Sequence, residues 1–79
     1  MGNISQNIVG TRVKQARLGA KPPLTQAALS QKLAKLGVNI DRAGIGKIEI
    51  GARGVLDFEV VALAKALGVR SSWLLGTKD

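Results

Sequence analysis

The chain has 79 residues, enough for one small domain with a limited core. It contains neither Cys nor His, which excludes disulfides and thiolate zinc sites and removes the commonest general base and metal ligand. Apolar residues make up 46 % and aromatics only 3 %, a composition for close helix packing rather than a ligand cavity, and the net charge is +7.

Residues 4–18 read as a first helix, with Asn3 or Ser5 as its cap. Val9, Val13 and Ala16 lie at i, i+4 and i+7 with Ile8 alongside, which turns this face inward. Arg12, Lys14 and Arg17 fall elsewhere around it. Gly19 to Pro23 form a loop, since two consecutive prolines cannot sit inside a helix.

Thr25 is placed to cap a second helix by accepting a hydrogen bond from a backbone N–H of the first turn. Leu29, Leu33 and Leu36 give that helix one apolar stripe. Gln26 stands beside the N–H groups of the first turn, a place that favours an anion such as phosphate. A helix former on a wet surface is the plainer reading of Gln26. Gly37 and Asn39 mark a turn. Asp41 then caps a third helix, whose buried edge is Ile45 and Ile48 and whose outward residues are Arg42, Ala43, Gly44, Gly46 and Lys47.

Gly51-Ala52-Arg53-Gly54 is a loop. Asp57 is the next candidate cap, and Phe58 to Leu67 form a fourth helix with Val60, Leu63, Ala64 and Leu67 on one face. Gly68 is a C′ residue and Val69 its apolar companion. Ser71 or Ser72 starts a last short helix carrying Trp73, Leu74 and Leu75, closed by Gly76. Residues 77–79 fray. The sum is an all-α chain of five short helices with no strand.

The charge is unevenly placed. Residues 1–53 hold nine Lys or Arg against two acids, Asp41 and Glu49, a net +7, whereas residues 54–79 hold three of each sign. A one-sided basic surface is the footprint of a polyanion binder; a solvated, solubility-giving face is the bland alternative. With no His, no Cys and five acids, an enzyme is not expected: no catalytic residue, metal site or cofactor is assigned. Stacking aromatics for RNA are nearly absent. No apolar run approaches the roughly 20 residues that span a bilayer, and Met1-Gly2-Asn3 does not begin a basic-then-apolar leader. A cytoplasmic protein, without a membrane partner, is the expectation.

Four blocks, LTQAALSQKL, IDRAGIGKIEIGAR, DFEVVALAKALGV and SSWLLG, occur in an order that resembles the Cro/phage-repressor type of helix-turn-helix domain, the XRE-like family. The likeness runs from about Val9 to Gly76. It implies a compact five-helix lambda-repressor-like domain over residues 1–79, with the motif at about 25–49, and a nucleoid-associated transcriptional regulator. In such domains the second motif helix lies in the major groove and the first crosses the backbone. The resemblance implies base contacts from Arg42, Ala43 and Lys47, and phosphate contacts from Gln26, Gly44 and Arg53. Arg42 is the leading reader, because its planar fork can bond guanine O6 and N7 together, while Lys47 suits a base or a phosphate.

It also implies an ion pair between Arg17 and Glu49 that locks the first helix onto the motif. The implied partner is double-stranded DNA, bound as a homodimer joined through Trp73, Leu74 and Leu75 of the last helix. For Trp73 a place in the core is the alternative. Two departures stand out: the link after Leu33 is longer than the family's tight turn, and Gly44 and Gly46 lie within the reading helix. Either backbone approaches DNA closely there or few bases are read. A protein-interaction module that keeps the fold without specific DNA binding is the competing function.

Overall fold

The computed structural model describes residues 5–77. Five helices, and no strand among the described residues, follow one another: α1 (Gly10–Gly19), α2 (Gln26–Lys35), α3 (Arg42–Glu49), α4 (Asp57–Leu67) and α5 (Ser71–Leu75). The core is aliphatic. Val9, Val13, Leu29, Leu33, Ile45, Ile48, Leu63 and Leu74 are fully enclosed, with Ile40, Val60, Ala62 and Ala64 around them. α3 lies against α1 and α2, while α4 backs α1 and α2 and carries α5. The helices are too short to persist alone, so this shared burial is what holds them.

The caps of the two central helices follow from local chemistry. Thr25 Oγ1 accepts from the Ala28 N–H at 3.0 Å, and Asp41 Oδ1 from the Gly44 N–H at 2.7 Å. α2 stops where Gly37 takes φ +82°, a conformation open to glycine, so that the Gly37 and Val38 N–H groups fold back onto Ala34 and Leu33. Val38 is thereby drawn against the core.

Several sequence expectations need correction. The first helix begins at Gly10, not residue 4; Asn3 and residue 4 lie outside the described residues. Ser5 does not cap it. The cap position is Val9, without a side-chain cap bond; ahead of it Asn7 Oδ1 accepts from the Val9 and Gly10 N–H groups at 3.0 and 2.7 Å. Ile8, in the segment before the helix, is exposed rather than inward. Leu36 is exposed as well, because the chain leaves helical geometry there and turns away from the Leu29–Leu33 stripe. At α4 the cap position is Leu56, not Asp57. The Glu59 carboxylate reaches back to the Leu56 N–H at 2.9 Å, which draws the helix start one residue earlier. Thr77 bonds Ser72 through its N–H, while residues 78 and 79 lie outside the described residues.

Gly10 explains how closely α1 and α3 approach. A Cβ at this position would collide with the carbonyl oxygen of Ile48. The absent side chain lets the two backbones pass, and Asn7 uses the junction. Its Nδ2 donates to Ile48 O at 3.0 Å and to Arg53 O at 2.8 Å, tying α1's entrance to α3's exit and the following loop.

Candidate nucleic-acid interface

α3 is held from behind and open in front. Ile45 and Ile48 are enclosed in the core, whereas Arg42, Ala43 and Lys47 are exposed. The 3.6-residue period puts residues 42, 43, 46 and 47 on one side of the helix. That side carries two cations and no acid. Gly46 leaves it thin, while Gly44 lies off this side, where a Cβ would meet Ile40 and Asp41.

The end of α3 is anchored by Glu49. Arg17 Nε donates to Glu49 Oε2 at 2.7 Å and Arg17 Nη2 to Oε1 at 3.0 Å, with both side chains buried. Arg17 Nη1 donates to Leu24 O at 2.9 Å, so one guanidinium joins α1, the entry to α2 and the end of α3. The hydrogen bonds to Glu49 hold Arg17 above its usual pKa range against the opposing effect of burial.

Gln26 completes this network. Its Nε2 donates to Glu49 Oε1 at 3.1 Å, and the amide lies over Gly46, 3.6 Å from where a Cβ would stand. The first residue of α2 thus sits beside the front of α3. With one amide hydrogen committed to Glu49, the second and the carbonyl oxygen remain for an outside group.

On another flank, Gly44 and Arg53 border one depression together with Ser30, Asn39, Ile40 and Asp41. The Ser30 hydroxyl donates to Ile40 O at 2.6 Å and fixes the long link to α2. Arg53 is not an unpaired cation. Its Nη1 and Nη2 donate to the two Glu59 oxygens at 3.0 and 2.9 Å, and Nη1 also donates to Gly54 O. Glu59 is held below the usual carboxylate range, first by Arg53 and also by the Leu56 N–H, with burial opposing both. Arg53 is raised by the same pair. The charge Arg53 presents is therefore partly offset.

The last helix carries the three residues expected at the dimer contact, Trp73, Leu74 and Leu75. Leu74 is fully enclosed in the domain's own core and has no surface to give a partner. Trp73, 37 % exposed, lies under the Arg12 guanidinium, 5.9 Å from ring centroid to Cζ, which fastens α5 to α1. Trp73 and Leu75 are exposed.

The structure therefore brings Gln26 and Glu49 together with Arg17, sets Gly44 near Arg53, and leaves Arg42, Ala43 and Lys47 outward. Asn7, Gly10, Ser30 and Glu59 are the supporting residues that sequence reasoning missed. Asn7, two residues before the first core position Val9, carries a cap signal; the partners of Gly10 and Glu59 depend on the fold. No helix among the described residues is long and apolar enough to cross a membrane. Comparison of the chain with protein-family models, with curated proteins and with solved structures returns no match.

Proposed function

We propose that this chain is a sequence-specific regulator that binds double-stranded DNA through a lambda-repressor-like helix-turn-helix, with α2 as the positioning helix and α3 in the major groove. The observation that carries the reading is α3 itself. Its rear is locked by Ile45, Ile48 and Glu49, and its front offers Arg42, Ala43 and Lys47. A helix that must insert into a groove needs such a fixed rear, because base readout depends on the placement of side chains.

Arg42 reads a guanine edge, Ala43 touches a thymine methyl, and Lys47 meets a base or a phosphate. Gln26, the Gly44 backbone and Arg53 contact phosphates and set the register. A single domain offers few base contacts, so it acts as a dimer on a palindromic operator, repressing by occupancy. Two observations favour a second reading, an interaction module of the same fold: Gly46 thins the reading face, and Glu59 offsets Arg53.

Mobility-shift titration at several salt concentrations separates the two. The regulator binds duplex DNA with an affinity that falls steeply with salt and retains a preference among sequences. Absence of binding to any duplex at low salt would leave only the interaction module.

A further inference from the structure

Away from α3, an apolar groove runs between the end of α2 and the outer side of α4. Leu36, Val38, Phe58, Val61, Ala62 and Lys65 line it. Phe58 is 56 % exposed, and Leu36 and Val61 47 % each. The long link after Leu33 supplies Leu36 and Val38.

We propose that this groove receives a second copy of the chain, with α4 packed antiparallel on α4 across a two-fold axis beside Val61. The argument is charge complementarity. In an antiparallel pair about Val61, the residue four positions before it faces the residue four positions after it on the other copy. Those residues are Asp57 and Lys65, one helical turn away on either side. Each Asp57 therefore faces the partner's Lys65, twice by symmetry, while Phe58 and Leu36 flank the axis. An isologous contact requires this self-complementarity. Both side chains are exposed, and neither enters an ion pair among the described residues. Among the described residues the Asp57 carboxylate accepts from the adjacent Phe58 N–H. The α5 face lacks such a pattern, and its central residue, Leu74, is enclosed.

The inference supplies a contact face for the dimer on which the operator reading rests. It is tested without DNA, so its failure leaves the role of α3 to be decided by DNA titration alone. The experiment is sedimentation equilibrium of the full chain from micromolar to millimolar concentration, with helix content checked by circular dichroism. Wild type, Asp57→Lys, Lys65→Asp and an equimolar mixture of these two variants are compared, together with Val61→Glu.

The wild type dimerises reversibly. Each charge reversal sets like charges opposite one another and weakens self-association by about tenfold. The mixture restores opposite charges at both contacts and associates within about threefold of the wild type. Val61→Glu, which alters an exposed position, places two acids at the axis and abolishes the dimer. A wild type that stays monomeric throughout overturns the proposal. So does a dimer indifferent to Val61→Glu, or a mixture that associates no better than its components.

Discussion

Arg17 and Glu49, 32 residues apart, meet in a buried two-point contact, with Arg17 Nε 2.7 Å from Glu49 Oε2 and Nη2 3.0 Å from Oε1. Glu49 is also the residue on which Gln26 rests. The same carboxylate thus fixes the end of α3 and orients the first side chain of α2. Stability and presentation of the candidate interface are joined at one residue.

Glu49→Ala should therefore destabilise the domain by about 3–5 kcal/mol, since it leaves the buried Arg17 guanidinium without its carboxylate. A chain of this size has a total stability of roughly 4–12 kcal/mol, so much of the margin is lost. Replacing both partners by apolar residues should cost less than the sum of the two single changes. Urea unfolding of the four members of the cycle measures the coupling; strictly additive effects would contradict it.

Gly10 and Gly46 should respond in opposite directions to alanine. At Gly10 the new Cβ meets the Ile48 carbonyl, and the backbones of α1 and α3 must separate, at about 1–3 kcal/mol. At Gly46 the nearest atom is a Gln26 side-chain nitrogen at 3.6 Å, an ordinary contact, so the gain in helix propensity of roughly 0.5–1 kcal/mol is kept. If DNA approaches the α3 backbone at Gly46, Gly46→Ala raises the thermal midpoint and lowers DNA affinity together. Melting curves and a binding titration on the same samples check both.

Arg42→Ala should weaken binding to a preferred duplex by about 1–3 kcal/mol and relax base choice at one position. Lys47→Ala, where Lys47 meets phosphate, should weaken all duplexes alike and lower the slope of log affinity against log salt by about 1. Fluorescence anisotropy on specific and random duplexes distinguishes them. Equal losses on both for Arg42→Ala would remove it as a reader.

Acid should weaken the fold partly through Glu59. Its folded-state pKa is depressed, chiefly by the Arg53 hydrogen bonds, so its contribution is in place at neutral pH. That contribution fades as pH falls from the ordinary glutamate range, near ~4.3, through the lower folded value. Glu59→Gln should be less stable than wild type at pH 7 and should show a shallower loss on acidification. Urea midpoints between neutral and acid pH give the comparison; parallel curves would contradict it.

What was legible in the chain was what is settled locally. Thr25 and Asp41 cap their helices because the cap bond spans three residues, and Leu29, Leu33, Ile45 and Ile48 follow the helical period. The start of α1 was not legible, since Asn7 is placed by carbonyls 41 and 46 residues away. Leu36 kept the apolar period but falls where Gly37 turns the chain, and periodicity does not register a stop. Arg53 reads in the sequence as a phosphate contact without a partner of its own, because Glu59 meets it only once α4 is in place. The Arg17–Glu49 contact entered through the family resemblance; no spacing rule pairs residues so far apart.

The central claim is that α3 reads duplex sequence. Selection of bound sites from a random duplex pool tests it most directly. The account predicts enrichment of a two-fold symmetric motif, with Arg42→Ala losing preference at one position of each half-site. Recovery of unenriched sequences, or of no bound duplex at low salt, would contradict it.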